Sequence, residues 1–191
     1  VAVRMRAIQG LLWKGSEMEQ INPTFYLPST PGSIPGLVSF WGFANSGTRF
    51  VASEGTPYVL TSQTGELAVG HCDRGPFGGR GLVLSEGSWL AIRRSECRDL
   101  DFHGPEGHFT VVAWLRRERT AQRHCEFIAG QWNETNRSRQ YGLFLNIGVW
   151  QEEDQVTAHV SNVGGPTPGF KYCIDGGVGS TRVPFDQWVV V

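Results

Sequence analysis

The chain has 191 residues, a net charge of −1 and only 18% charged residues, with no basic stripe to track a polyphosphate, so nucleic acid is excluded as the expected partner. No apolar run approaches the roughly 20 residues that span a bilayer, and no signal-like apolar segment is present. Its 25 Gly, 10 Pro, seven Trp and 11 Phe point to a turn-rich all-β fold with ample core material.

Near the start, Met5, Ile8, Leu11 and Leu12 recur at helical spacing and predict a short helix within residues 4–12, ended by Gly10 or Gly15. Residues 21–36 carry four Pro and two Gly and read as an extended linker. Residues 1–35 are therefore expected to form a short N-terminal helix or extended segment, and residues 36–191 a single β domain. Leu37–Phe43 is the first clear strand. Further strands are expected at Tyr58–Thr61, Leu67–Gly70, Gly81–Leu84, Trp89–Ile92, Phe109–Arg116, Cys125–Gly130, Gln140–Ile147, Gln155–Val160 and Trp188–Val191. The run at Phe109–Arg116 is apolar on both faces. Phe109, Val111, Ala113 and Leu115 share one side, and Thr110, Val112, Trp114 and Arg116 the other, so the strand must be covered twice. Arg116, Arg117 and Arg119 read as a solvated loop after it. The last strand, beginning near Trp188, carries no turn signal after it, which implies that the natural chain continues.

Four cysteines, Cys72, Cys97, Cys125 and Cys173, show no C-x-x-C spacing. They form two disulfides or four buried thiols. His71, Cys72, His124 and Cys125 are adjacent pairs. Neighbours on a strand face opposite ways, so each pair offers one ligand and no metal site is expected. Asn133 and Asn136 each begin a glycosylation sequon.

Two segments concentrate polar and aromatic chemistry. The first spans 130–141, with Trp132, Asn133, Glu134, Arg139 and Tyr141. The second spans 159–175, with His159, Asn162, Lys171, Tyr172 and Asp175, around the stiff loop Gly164-Gly-Pro-Thr-Pro-Gly. A strand with Val156, Ala158 and Val160 inward aims Thr157, His159 and Ser161 at its other face. Sugar sites combine flat aromatics with planar polar groups. Trp132, Trp150 and Tyr172 supply the first, and Asn133, Arg139, Asn162, Lys171 and Asp175 the second. His159, Glu134, Lys171 and Tyr172 are the acid–base candidates if the chain is an enzyme, with Glu126 and Asp175 as further carboxylates. Glu152-Glu153-Asp154 splits its carboxylates between faces and reads as a solvated loop rather than a catalytic pair.

Taken in order, Gly36-Leu-Val-Ser-Phe-Trp-Gly-Phe, Phe77-Gly-Gly-Arg-Gly-Leu-Val-Leu with Ser88-Trp-Leu-Ala-Ile, Phe109-Thr-Val-Val-Ala-Trp-Leu-Arg, Ile128-Ala-Gly with Tyr141-Gly-Leu-Phe-Leu, and Phe185-Asp-Gln-Trp-Val-Val-Val resemble the laminin-G-like branch of the concanavalin A-like lectin/glucanase superfamily. The resemblance covers residues 36–191 and lacks the family's closing Y-v-D-G turn. It implies a two-sheet antiparallel jelly-roll sandwich with a concave face, and an extracellular or cell-surface setting. Its implied function is a lectin-like module recognising an oligo- or polysaccharide on the concave face. The alternatives are a polysaccharide hydrolase or lyase on the same fold, or a structural or protein-interaction module. Many relatives hold calcium through an early Asp. Val51-Ala-Ser-Glu-Gly lacks it, so no cofactor is expected unless Glu54 substitutes for that Asp.

Overall fold

The computed structural model describes residues 5–13, 31–71, 80–102, 104, 107–119 and 125–191. Among these residues fourteen strands follow in chain order: β1 Met5–Trp13, β2 Leu37–Trp41, β3 Arg49–Val51, β4 Glu54–Gly55, β5 Val59–Ser62, β6 Val69–His71, β7 Arg80–Leu84, β8 Leu90–Ala91, β9 Thr110–Arg117, β10 Glu126–Gln131, β11 Tyr141–Leu145, β12 Gln155–Val160, β13 Gly176–Arg182 and β14 Trp188–Val190. The helical turns among them are three-residue 3-10 turns, at Pro31–Ser33, Arg94–Glu96 and Arg98–Leu100. The chain is thus all-β, and its strands form antiparallel sheets, none of them closed.

The largest sheet runs β14-β9-β1-β2-β4, with β7 also on β1 and β6 on β7. A second sheet, β10-β11-β12-β13, is a simple meander, and a third joins β3-β5-β8. Side chains from all three meet in one core. Leu82, Ala113 and Leu115 come from the large sheet, Ile128, Leu143 and Leu145 from the meander, and Phe50 from the third. Fully burying a side chain such as Leu115 contributes about 1.5–3 kcal/mol.

All ten strands expected from the sequence are present, with ends shifted by no more than two residues. The expected N-terminal helix is not. Residues 5–13 are strand β1, whose register sets Leu12 against Ser39 on one side and Val111 on the other. The helical spacing of four apolar residues is a weak local signal. Gly10 further weakens a helix, and pairing on both edges overrides it. Residues 14–30, most of the expected linker, lie outside the described residues.

The arginine cluster also differs from expectation. Arg117 is not solvated: it is the last residue of β9, 2% exposed, on the same face as Ala113 and Leu115. Its Nε donates to Glu126 Oε2 at 3.1 Å and its Nη2 to Glu126 Oε1 at 2.5 Å and Asp154 Oδ1 at 2.8 Å. Nη1 donates to the Val183 carbonyl at 3.0 Å, and the guanidinium lies over Phe185, 4.2 Å from the ring centroid. One side chain thereby ties β9, β10, the turn before β12 and the segment after β13. Glu152 and Asp154 are not a solvated loop either. Glu152 is buried and accepts from the backbone N–H groups of Gly148 (3.0 Å) and Trp150 (3.3 Å), while Asp154 exchanges hydrogen bonds with Asn146. These carboxylates organise a tight loop. Glu153, on the surface, pairs with Arg182.

Within the meander, β11 is covered on both faces. Every residue of β11 is buried. Tyr141, Leu143 and Leu145 face the core, whereas Phe144 stands on the other side beside Phe127, with ring centroids 5.1 Å apart. A bulge at Phe127/Ala129 lets both Ile128 and Ala129 turn toward the core. On β12 the alternation is as expected but the burial is reversed. Thr157 and His159 are buried, and Ala158 and Val160 are exposed. The core reaches Val156 but does not extend over Ala158 and Val160, while indole rings fold over the opposite face.

Candidate functional site

The outer face of the meander carries a small aromatic cluster around His159. Register places His159 opposite Gly142 on β11 and Gly176 on β13, and Thr157 opposite Phe144 and Val178. Glycine on both flanks leaves room for large rings. A Cβ at Gly176 would approach the Ala158 carbonyl oxygen to 2.4 Å and Trp150 Cη2 to 3.2 Å. A Cβ at Gly142 would come within 2.4 Å of the Phe144 ring. Three aromatics surround the imidazole: Trp150 at 4.9 Å between centroids, Trp132 at 5.3 Å edge-on, and Phe144 at 5.9 Å edge-on.

Trp132 follows β10 directly and is held by its neighbours. Its Nε1 donates to Glu134 Oε1 at 3.3 Å, and the Arg139 guanidinium lies 5.7 Å from its ring centroid. Arg139 Nη2 is 3.5 Å from Glu134 Oε1. The buried Nε and Nη1 of Arg139 have no hydrogen-bond partner. Asn133 is exposed, and its Oδ1 accepts from the Asn136 N–H, closing the turn that separates Trp132 from Arg139. Trp150 rides the 146–154 loop that Glu152 organises. There Asn146, Gly148, Gln151 and Asp154 all have positive φ, a conformation that L side chains adopt with strain.

Of the residues expected at a site, the structure brings Trp132, Glu134, Arg139 and His159 together, with Asn133 on the rim. Asp175 is tied back to its own loop by Thr167, whose hydroxyl donates to it at 2.8 Å. Asn162, Lys171 and Tyr172 are exposed on the loop between β12 and β13, with the Lys171 ammonium 5.0 Å from the Tyr172 ring centroid. A hydrogen bond with Tyr172 raises the Lys171 pKa, so this amine is no poised base. Tyr141 stands away from the site. It faces the core, and its hydroxyl donates to the Leu100 carbonyl at 3.0 Å. An aromatic on β11 reads as site or core depending only on parity, and Tyr141 has the parity of Leu143 and Leu145. The residues that sequence reasoning missed are Phe144, Gly142 and Gly176. The period-two signal on β11 could have found Phe144; the two glycines carried no signal.

His159 is 2% exposed, and neither ring nitrogen has a hydrogen-bond partner. Burial in the aromatic cluster lowers its pKa, against the pull of Glu152, Asp175 and Glu134 and with help from Arg139, so it is neutral at pH 7. Below its unfolded value of 6.5 the unfolded chain takes up a proton that the folded chain does not, down to the lower folded value. Stability therefore falls as pH drops through this window. The urea midpoint is expected to be lower near pH 5 than at pH 7, and the part of that slope due to His159 to vanish in His159→Phe. An unchanged slope in the variant would refute the assignment.

Cys97, Cys125 and Cys173 are free thiols, so no disulfide links them; Cys72 lies outside the described residues. Burial pushes the Cys125 thiol up to about 11, with nearby Glu134, Glu126 and Glu152 adding to it, which leaves it protonated and a poor nucleophile. No cluster of three or more His, Cys, Asp or Glu with metal-binding placement occurs among the described residues. Cys72 and His124, half of the one metal set that could be drawn, lie outside them. No helix among the described residues is long and apolar enough to cross a membrane. Comparisons with protein-family models, curated proteins and solved structures give no significant match.

Proposed function

We propose that this chain is a laminin-G-like jelly-roll module that binds carbohydrate on the outer face of the β10–β13 meander. The observation that carries this reading is the pair of half-buried indoles, Trp132 and Trp150, lying over one sheet face with Asn133, Glu134 and Arg139 at the rim. A sugar ring offers an apolar face for the indoles and edge hydroxyls for the amide, carboxylate and guanidinium. Arg139 Nε and Nη1, buried and unpartnered, add donor capacity. A hydrolase or lyase on the same fold is the weaker reading. His159 has no carboxylate or hydroxyl hydrogen-bonded to orient it, and Glu134 Oε1 is already engaged by Trp132 and Arg139.

The test is titration of the intact protein against a broad panel of oligosaccharides. Wild type is expected to bind at least one class, and Trp132→Ala to weaken that binding about tenfold, or about 1.4 kcal/mol. Trp150→Ala serves as the second variant, with far-UV circular dichroism to verify the fold of each. Absence of binding by wild type to every glycan would overturn the reading, and release of reducing or unsaturated ends would turn it toward catalysis.

A further inference from the structure

Three polar atoms lie orphaned on the face of β12 that carries the aromatic cluster. Thr157 Oγ1 and both nitrogens of His159 are buried, two positions apart on the same face of β12, and none has a hydrogen-bond partner. A buried polar group without a partner is destabilising, because it gives up hydrogen bonds to water and gains none. Folded proteins keep few such groups, and those kept call for a reason. No other polar side chain satisfies them, and the two flanking strands present Phe144, Val178 and glycine at the paired positions. Their chemistry constrains the ligand. Neutral imidazole has one donor and one acceptor nitrogen, and a threonine hydroxyl both donates and accepts. Sugar hydroxyls have the same dual character. Carboxylates and sulfates only accept.

Charge narrows the choice further. Four charged groups act on His159: Glu152, Asp175 and Glu134 on one side and Arg139 on the other. Three carboxylates against one guanidinium make a field that disfavours an anion. Three rings pack on His159, and Trp150 differs from the other two in its setting. It is the nearest ring to the imidazole, and it sits on the positive-φ loop rather than on a strand. Gly176 leaves it space, since a Cβ there would lie 3.2 Å from Trp150 Cη2.

We infer that Thr157 and His159 form a buried subsite for adjacent hydroxyls of a neutral sugar, uncovered when Trp150 moves off the imidazole. The inference rests on the proposed glycan-binding reading and specifies its ligand class. It makes stability and affinity move in opposite directions at one atom. In the free protein, Thr157→Val replaces an unpartnered buried hydroxyl with a methyl group of similar shape. The Tm is therefore expected to rise by about 2–4 °C, as for about 1 kcal/mol in a chain of this size. In the complex the same change removes a hydrogen bond to the sugar, and affinity for a neutral oligosaccharide is expected to fall about tenfold.

The experiment measures Tm and binding for wild type and Thr157→Val with matched neutral, uronate-containing and sulfated oligosaccharides. A higher Tm, weaker neutral-sugar binding and a wild-type preference for the neutral glycan support the inference. A lower Tm would show that the hydroxyl is structural and overturn it. Unchanged affinity in the variant, or equal or tighter binding of the acidic glycans by wild type, would also overturn it, and would leave the glycan-binding reading standing. Failure of wild type to bind any of the panel removes both.

Discussion

Arg117→Met is expected to destabilise the protein by about 3–5 kcal/mol, the usual effect of removing one partner from a buried ion network. The groups left behind decide the effect. Glu126 and Asp154 are 13% and 15% exposed and both direct carboxylate oxygens at the guanidinium. Without it they remain in a poorly solvated region facing each other's charge, and the Val183 carbonyl loses its donor. Methionine replaces part of the apolar contact with Phe185 but none of the four hydrogen bonds. Urea denaturation of the variant at pH 7 measures the loss. A change below about 1 kcal/mol would mean that the network behaves like an exposed ion pair. Replacing all three charged groups together by apolar residues of similar size is expected to recover much of the loss, because the stranded carboxylates are then gone as well.

Gly130→Ala is expected to be the most damaging small substitution in the meander. Gly130 has φ +149°, and a Cβ built there would lie 2.3 Å from the Tyr141 carbonyl oxygen and 2.7 Å from Gly142 Cα. Both obstacles are backbone, so no side chain can rotate away, and β10 would have to separate from β11 at the pair Gly130–Gly142. The backbone conformation alone disfavours any L residue. The combined effect should exceed about 3 kcal/mol, within the range reserved for severe single substitutions. Thermal unfolding with a strand-sensitive circular dichroism signal provides the measurement. A Tm within a few degrees of wild type would show that the hairpin tolerates the displacement. Gly148→Ala is the internal control. It also has positive φ but meets nothing within 4 Å, so strain acts there without a clash.

The all-β class and ten of the strands were legible because apolar runs bounded by turn residues report strands whatever the topology. The strands that escaped lacked that signal. β13, Gly-Gly-Val-Gly-Ser-Thr-Arg, is exposed at every position and is recruited by pairing with β12 rather than by burial. β1 carries apolar residues at a misleading spacing, and only its neighbours across the sheet make it extended. In the candidate site, Trp132 and His159 were named from residue type and strand parity, and the structure packs their rings together. That Arg117 turns inward was invisible, since its partners, Glu126 and Asp154, are distributed over separate elements. The burial of His159 was equally hidden, because the rings packed on it include Trp132 and Trp150, which lie in loops, and loop conformation is poorly encoded in local pattern. Tyr141 was misassigned for the converse reason: its residue type suggested a binding role, while its parity with Leu143 placed it in the core.

The two larger sheets differ in when they can assemble. Each strand of the meander pairs with its neighbour in sequence, across connections that close cheaply. The large sheet is different: Leu12 meets Val111, 99 positions later, and β9 must also wait for β14. On a ribosome the first strand therefore leaves the tunnel long before its central partner exists, and its unpaired edges must be tolerated in the interval. The meander, with its aromatic cluster, needs nothing from the N-terminal third to form its hydrogen bonds. The segment proposed to bind sugar is in this respect the low-contact-order half of the molecule, and the long-range sheet sets the pace at which the whole chain becomes native.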